Sequence, residues 1–187
     1  MTVFVAGIHG VGKSYLAEPV AARLGLKYAR ASQLIRDERK YLSWGESKIV
    51  NETVENQAAL VRAVQRVKAS SASLILDGHF VLRKAVNEYE RIPENVFRDL
   101  ACSAVILLTC PITTTLSRLR ARGDDSWTEV ELGAFSQAES EHASSVCESL
   151  MIPLVELHSP TSEEFESALR PLCASGWSGF RTRRVAD

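Results

Sequence analysis

The stretch Gly7-Ile8-His9-Gly10-Val11-Gly12-Lys13-Ser14 matches the phosphate-binding pattern G-x-x-x-x-G-K-[ST]. Residues 2–6 before it are largely apolar and favour a strand, and residues 15–24 after it favour a helix. A loop in this position directs its backbone N–H groups at an anion, beside the positive end of the helix dipole. The sequence therefore predicts a phosphate site, and a chance match in an ordinary strand–helix turn is the weaker explanation.

Each residue type in this loop has a chemical task in holding a nucleotide. The glycines let phosphate oxygens approach the backbone without a Cβ in the way. The Lys13 ammonium can reach the β- and γ-phosphates, and the Ser14 hydroxyl can ligate Mg²⁺. We therefore expect ATP and Mg²⁺ as cofactors. The predicted nucleotide-binding residues are Gly7, His9, Gly10, Val11, Gly12, Lys13, Ser14 and Tyr15.

Composition predicts a compact enzyme with its own core. The chain has 187 residues, of which 45% are hydrophobic and 24% charged, so a buried core can form without disulfides. The formal net charge of −1 argues against a protein that coats nucleic acid. The four cysteines are widely spaced and form no C-x-x-C pair, which favours reduced thiols over a zinc site. We also expect no signal peptide and no membrane span, and hence a cytoplasmic location.

The chain reads as strands alternating with helices, which predicts an α/β three-layer sandwich with helices on both faces of a five-stranded parallel sheet. A break is expected at residues 43–45, and residues 174–187 show no clear period. The acidic stretch 123–169 contains no Lys or Arg and is expected to be a solvated face. The expected strands are 3–6, 27–30, 73–77, 104–109 and 153–157, and the expected helices are 13–24, 32–41, 46–69, 111–122, 128–150 and 161–173.

Asp77 closes the apolar run Leu74-Ile75-Leu76. Ligands of parallel sheets bind at the carboxyl ends of the strands, so this carboxylate is expected beside the phosphate loop. There it can hold Mg²⁺ directly or through water, whereas the structural alternative is an Asp that caps the turn before Gly78. His79 is either a catalytic or acceptor-contacting residue or a hydrogen-bonding turn residue.

Three further segments, in order along the chain, carry a resemblance to a known family. They are Ala31-Ser32-Gln33-Leu34-Ile35-Arg36, Asp77-Gly78-His79, and Arg118-Leu119-Arg120-Ala121-Arg122. Together with the phosphate loop, they resemble the nucleoside monophosphate kinases of the adenylate kinase type, nearest their compact archaeal-type and small AAA-type members. The phosphate loop is specific for phosphate but not for this family. The other segments gain weight from their order and spacing.

The resemblance implies a P-loop kinase sheet of order 2-3-1-4-5 in a single domain, residues 1–175. Within it, an acceptor-binding insertion would cover about 32–70 and a short lid about 122–128. Residues 176–187 form a tail that the family does not explain. The helix after the lid carries no arginine, although typical members place anion-clamping arginines there.

The implied reaction moves the γ-phosphate of ATP to a small phosphorylated acceptor, a nucleoside or deoxynucleoside monophosphate. The implied catalytic residues are Lys13, Asp77, Arg118 and Arg122. Ser14 and Asp77 would hold the metal. The candidates on the acceptor side are Arg36, Gln57, His79, Arg83 and Arg91. A guanidinium forks onto two phosphate oxygens, which suits Arg36 as the acceptor clamp, although it could equally be a solvated helix residue. An exposed amide is the alternative for Gln57.

Three other functions remain open at this point. A kinase of a non-nucleotide metabolite shares the sheet and the loop, and fold does not decide the substrate. A regulatory GTPase would need a guanine-reading N-K-x-D segment, but Thr109-Cys110-Pro111-Ile112 stands after the fourth strand. A nucleotide-binding sensor or scaffold with weak ATPase activity would explain the missing arginines and the tail.

Overall fold

The computed structural model describes residues 1–42, 52–70, 73–173 and 183–184. In these residues strands and helices alternate along the chain, as the sequence predicts. The strands are β1 (Thr2–Ala6), β2 (Lys27–Arg30), β3 (Leu74–Asp77), β4 (Val81–Ala85), β5 (Glu88–Arg91), β6 (Cys102–Thr109), β7 (Leu154–His158) and β8 (Arg183–Arg184). The helices are α1 (Lys13–Arg23), α2 (Ala31–Leu42), α3 (Glu52–Ser70), α4 (Glu94–Asp99), α5 (Ile112–Arg120), α6 (Glu129–Leu150) and α7 (Ser162–Cys173).

Six of the described strands form a parallel sheet in the order β2-β3-β1-β6-β7-β8. The first five confirm the predicted order 2-3-1-4-5, because β6 and β7 are the fourth and fifth strands expected from the sequence. β8 adds a short edge strand from the tail, which the sequence left unassigned. The rest of the tail, residues 174–182 and 185–187, lies outside the described part of the chain.

The central strands are buried along their whole length, which explains their continuous apolar sequence. Every residue of β1 and β3 is buried, as expected for parallel strands covered by helices on both faces. Phe4 on β1 meets Phe80 and Phe97 edge to face, with ring centroids 5.3 and 5.4 Å away. These ring contacts pack β1 against the residues just before β4 and against α4.

An antiparallel hairpin and a short helix separate β3 from β6, and the sequence pattern did not predict them. β4 and β5 pair with each other in a separate two-stranded sheet. Their alternation is weak because the hairpin packs on α6 rather than on the main sheet: the Tyr89 hydroxyl donates to the Glu131 carbonyl at 3.0 Å. The turn uses Asn87 at φ 58°, a left-handed conformation that Asn tolerates. Residues of the hairpin and of α4 line the same cavity as the phosphate loop.

Helices α2 and α3 form most of the predicted acceptor-binding insertion. The buried Glu38 of α2 accepts hydrogen bonds from Arg62 and Arg66 of α3 at 3.3 and 3.1 Å. These contacts hold the two helices together. The predicted helix 46–69 is described from Glu52 onward, and its first residues, with the predicted break at 43–45, lie outside the described residues.

The predicted lid segment, 122–128, connects α5 to α6. The Thr128 hydroxyl accepts a hydrogen bond from the Glu131 N–H at 3.1 Å and so caps α6, as the sequence predicts. No helix among the described residues combines the length and apolarity needed to cross a membrane.

Candidate functional site

The phosphate loop turns tightly between β1 and α1, against the end of β6. Gly7 has φ 135°, and a Cβ there would lie 2.5 Å from the Leu108 carbonyl oxygen. Gly12, at φ 113°, immediately precedes the first residue of α1. Only glycine adopts these conformations without strain, so the loop can direct its N–H groups inward beside the helix N-terminus.

Lys13 is buried and its ammonium is satisfied by the loop itself. Its Nζ donates to the carbonyls of Gly7 and Ile8 at 2.6 and 3.2 Å, and lies 3.9 Å from Asp77 Oδ1. Burial lowers the pKa of Lys13, whereas the carboxylates of Asp77 and Glu139 oppose this shift. The ammonium is therefore held at the loop by acceptors that a phosphate can replace, next to a carboxylate that favours its charged form.

Asp77 lies at the end of β3, level with the phosphate loop. Its Oδ2 accepts hydrogen bonds from the Ser14 hydroxyl at 2.8 Å and from the Tyr28 hydroxyl at 3.0 Å. A hydroxyl and a carboxylate beside a phosphate site are oxygen ligands of the kind that Mg²⁺ prefers. The described residues contain no cluster of three or more His, Cys, Asp or Glu, so nucleotide phosphates and water would supply the other ligands. Ser14 and Asp77 thus fit a nucleotide-bound Mg²⁺.

The two arginines of the predicted lid entry lie at the phosphate loop. Arg118 of α5 donates from one guanidinium nitrogen to the carbonyls of Gly10 and Val11 at 3.2 and 3.0 Å. Arg122 is exposed and lines the cavity in front of the loop. Arg118 therefore contacts the phosphate loop directly, and Arg122 lines the cavity in front of it.

A cavity of about 530 Å³ extends from the phosphate loop toward α3, α4 and the hairpin. Its near end, at the loop, is polar, and its far end combines apolar side chains with Gln57, neighbouring polar groups of α3 and Lys84 of the hairpin. Gln57 is only 7% exposed, and its Oε1 has no hydrogen-bond partner among the described residues. The far end is lined by the side chains of Phe4, Leu60, Leu82, Ile92, Val96 and Phe97.

The acceptor-side candidates divide into two groups. Gln57, His79 and Arg83 line the cavity, whereas Arg36 and Arg91 are absent from its lining. Arg36 donates to the Gln33 amide oxygen at 2.9 Å, and Arg91 lies 3.7 Å from the Glu141 carboxylate.

Arg83 makes extensive contacts with the lid segment and α6. Its guanidinium lies 3.9 Å from the centre of the Trp127 ring. It donates to both carboxylate oxygens of Glu131 at 2.8 and 3.0 Å, and to the hydroxyl and carbonyl of Ser126. Arg83 therefore joins the hairpin to the lid segment while lining the cavity.

Two histidines meet at the cavity, one from the phosphate loop and one from the loop after β3. The rings of His9 and His79 lie 4.3 Å apart, centroid to centroid. Desolvation by the surrounding protein, with help from the Lys13 charge, lowers the pKa of His9 to about 4. The same causes hold the pKa of His79 well below its usual value. Both rings are therefore neutral near pH 7.

The sequence analysis missed two residues that hold the site together. Tyr28 donates to Asp77 from β2, the edge strand, and Glu139 of α6 accepts from the backbone of two loops. Tyr28 has a signal in the sequence, because it lies near the end of a strand that precedes the family-like segment at Ala31. Glu139 has none, because it lies among other acidic residues of an amphipathic helix.

A parallel sheet of this order, with a phosphate loop after β1 and a carboxylate at the end of β3, defines a P-loop kinase. Residues 6–131 match a family model described as "AAA domain". An adenylate kinase from Mycolicibacterium vanbaalenii is 30% identical over 141 residues, which are 69% of this chain and 74% of that protein. The chain therefore belongs to the adenylate kinase-like P-loop family.

A second relative agrees with this assignment, and a solved structure shares the fold. The Caenorhabditis elegans adenylate kinase isoenzyme 6 homolog is 25% identical over 174 residues, or 91% of this chain and 86% of that protein. Shikimate kinase from Acinetobacter baumannii, solved with shikimate, superposes with a TM-score of 0.57 over 95% of both chains at 13% identity. At that identity the superposition supports the fold alone.

Proposed function

We propose that this P-loop kinase transfers the γ-phosphate of ATP to a nucleoside or deoxynucleoside monophosphate, with Mg²⁺ on the donor, in the cytoplasm. The observation that carries the proposal is the continuous cavity that runs from Lys13 to an apolar end containing the buried Gln57 amide. Such a cavity can hold donor phosphates at one end and a flat, largely apolar base at the other.

At the donor end, the chemistry is electrostatic. Phosphoryl transfer spreads negative charge over the moving group, and catalysis comes from positioning and from nearby cations. Lys13, Arg118 and Arg122 supply positive charge from three directions around the loop. Ser14 and Asp77 would hold Mg²⁺, which neutralises charge on the β- and γ-phosphates.

At the acceptor end, the apolar lining argues for a base rather than a polyol. A planar ring would bury its faces against Phe97, Leu60 and Ile92 and gain from the area removed from water. The Gln57 amide could pair with the ring edge, and satisfying its buried oxygen would contribute to selectivity, because an unpaired buried polar group is costly.

One observation favours an alternative, a kinase of an unphosphorylated small acceptor. Arg36 and Arg91 do not line the cavity, and Arg83 is paired with Glu131. An acceptor without a phosphate needs no such clamp. Its hydroxyl would instead need a proton acceptor, and Asp77 and His79 line the cavity beside the phosphate loop.

The test is a panel of acceptors incubated with ATP and Mg²⁺. The panel contains the ribo- and deoxyribonucleoside monophosphates, the matching nucleosides, and shikimate as a polyol. ADP formation is measured by an enzyme-coupled assay and the product is identified by ³¹P NMR. A monophosphate that raises ADP formation far above ATP alone supports the proposal. Stimulation by a nucleoside or shikimate alone favours the alternative, and no stimulation by any acceptor favours the sensor hypothesis.

A further inference from the structure

Glu139 is a buried carboxylate in the middle of α6 that none of the roles above uses. Its side chain is 1% exposed, although the sequence places it in a stretch expected to be a solvated face. Its Oε1 accepts a hydrogen bond from the Gly7 N–H at 3.1 Å. Its Oε2 accepts from the N–H groups of Phe80 and Val81 at 2.9 and 2.7 Å. One carboxylate thus joins the phosphate loop to the loop after β3.

The burial of this carboxylate is balanced by its partners. A carboxylate without partners in the interior is strongly destabilising, and hydrogen bonds to its charged form offset that cost. Burial raises the pKa of Glu139, whereas the three backbone N–H groups and the Lys13 ammonium oppose the rise. The Glu139 carboxylate in turn favours the charged form of Lys13. Glu139 therefore acts on the phosphate site in two ways: it bonds the Gly7 N–H, and its charge favours the charged form of Lys13.

The peptide groups of Gly7 bond two charged side chains, and only one of them, Lys13, is expected to bind phosphate. Lys13 donates to the Gly7 carbonyl, while Glu139 accepts from the Gly7 N–H. When Lys13 turns to a nucleotide phosphate, the carbonyl loses this donor. Glu139 continues to hold the N–H, so any shift of Gly7 is passed through its carboxylate to Phe80 and Val81.

The loop that receives this shift borders the candidate acceptor site. Residues 78–81 run from the metal-binding carboxylate at Asp77, past His79, to the start of β4. His79 lies beside the Glu139 carboxylate, with its Nδ1 3.9 Å from Glu139 Oε1. β4 then carries Arg83, which joins the lid segment. Glu139 is therefore placed between the donor site and the elements on the acceptor side.

We propose that Glu139 is a positioning residue that couples nucleotide binding at the phosphate loop to the loop at residues 78–81. The proposal rests on the proposed function only in requiring that ATP binds the phosphate loop. It requires no particular acceptor. It predicts that nucleotide alone orders the Phe80 and Val81 amides, and that the ordering depends on the two oxygens of Glu139 acting as equivalent acceptors.

The test compares the wild-type protein with Glu139→Gln and with Glu141→Gln. In Glu139→Gln the new amide keeps the shape of the side chain but replaces one acceptor oxygen by an NH₂ group, which cannot accept from an N–H. Glu141 lies on the same helix, is exposed, and bonds to Gln137 and Arg91, so it is the matched control. The probe is Mg²⁺ with a non-hydrolysable ATP analogue. Calorimetry measures its Kd, and NMR hydrogen exchange measures the protection of the Phe80 and Val81 amides.

We expect the analogue to bind all three proteins, and the calorimetric Kd sets the concentration that saturates each of them. Protection of the two amides should rise by about tenfold on nucleotide binding in the wild type and in Glu141→Gln. In Glu139→Gln it should rise by less than about twofold. An equal rise in Glu139→Gln, or no rise in the wild type, would overturn the proposal.

A second variant covers the case in which Glu139→Gln does not fold. Glu139→Asp keeps the charge but shortens the reach by one methylene, so it should fold and show an intermediate rise in protection. A full wild-type response in Glu139→Asp would also overturn the proposal. Because the experiment uses nucleotide alone, its failure is distinct from a failure of the acceptor panel, and either can occur without the other.

Discussion

Asp77 receives two hydroxyl donors on the same carboxylate oxygen, and one of those donors is the predicted metal ligand Ser14. Its other oxygen faces the Lys13 ammonium at 3.9 Å. This geometry would let the carboxylate charge be shared between the lysine and the proposed Mg²⁺ beside Ser14. The residue thus has a structural part, holding Tyr28 and Ser14, and an electrostatic part, which only its charge can supply.

Asp77→Asn is expected to separate these two parts. The amide keeps the shape but loses the charge that a hard cation prefers, so the Mg²⁺ concentration for half-maximal activity should rise by at least about tenfold. Nucleotide binding without Mg²⁺ should change little. A Mg²⁺ titration of the reaction rate measures the first quantity, and calorimetry measures the second. Asp99→Asn, an exposed change at the end of α4, is the control. An unchanged Mg²⁺ dependence would leave Asp77 as a turn residue.

We expect His9 to make the stability of the protein depend weakly on mildly acidic pH, because neighbouring groups desolvate its ring although the residue is exposed. Its pKa falls from 6.5 to about 4 in the folded protein, so the unfolded chain binds more protons between these values. The contribution of neutral His9 is therefore fully present above pH 6.5 and is lost as the pH falls toward 4. His9→Gln should flatten the rise of Tm with pH across this window, relative to the wild type. Parallel slopes for His9→Gln and wild type would contradict the assignment.

At the scale of the elements, the sequence predicted those strands and helices whose apolar pattern matches the faces that the fold buries. β1, β3 and β6 were predictable because both of their faces are buried, so the apolar run is continuous. The hairpin β4–β5 was not, because half of its side chains are polar and its partner, α6, is remote in sequence. The interpretation of α6 as a solvated acidic face was wrong for Glu131 and Glu139, which are 2% and 1% exposed. Burial of a carboxylate depends on distant N–H and arginine partners that no local pattern reveals.

The contact between the hairpin and the lid segment depends on Arg83, and Arg83→Lys tests it. A lysine cannot stack flat on Trp127 or donate to both oxygens of Glu131 in a fixed fork. We expect hydrogen exchange in residues 122–128 to accelerate and the free energy of unfolding to fall by roughly 1–3 kcal/mol. Mass-spectrometric exchange and a urea titration measure these changes. Arg91→Lys, whose residue forms an exposed pair with Glu141, is the control.

The same variant distinguishes the two roles open to Arg83. If it binds the acceptor, as the sequence suggests, the KM for the acceptor should rise while exchange in the lid segment stays unchanged. If it mainly joins the hairpin to the lid segment, hydrogen exchange in residues 122–128 should accelerate while the KM for the acceptor stays unchanged. Equal exchange and equal KM in Arg83→Lys and wild type would exclude both roles.

At the scale of the whole molecule, the sheet order follows from a few local signals and general topology. The phosphate loop fixes β1 as the central strand, and right-handed crossovers then restrict where the remaining strands lie. The candidate donor site was predictable for the same reason, since Lys13 and Ser14 begin the helix after the phosphate loop and Asp77 ends β3. The acceptor side was less predictable, because its position depends on how α2, α3 and the hairpin surround the cavity.

Arg36 gives the clearest case of this dependence, and it leads to a prediction about motion. It lies on α2 and does not line the cavity, so it can bind an acceptor phosphate only if its side chain turns or α2 moves toward the phosphate loop. Glu38 ties α2 to α3 through Arg62 and Arg66, so the two helices should move as one unit. Closure of such an insertion excludes water from the phosphoryl group.

Closure predicts that a bisubstrate analogue, two adenosines joined by a polyphosphate, protects α2, α3 and residues 122–128 together. Helix α7, which contributes no residue to the cavity lining, should exchange equally with and without the analogue and serves as the internal control. In the same state, Arg36→Ala should weaken binding of the analogue by about tenfold to a hundredfold, because a bidentate charged contact is lost. Lys40→Ala, one turn further along α2 and ion-paired with Asp37 at the surface, is the matched variant and should bind normally. Protection confined to the phosphate loop, with Arg36→Ala binding as tightly as wild type, would mean that the insertion is rigid and that the acceptor needs no clamp from α2.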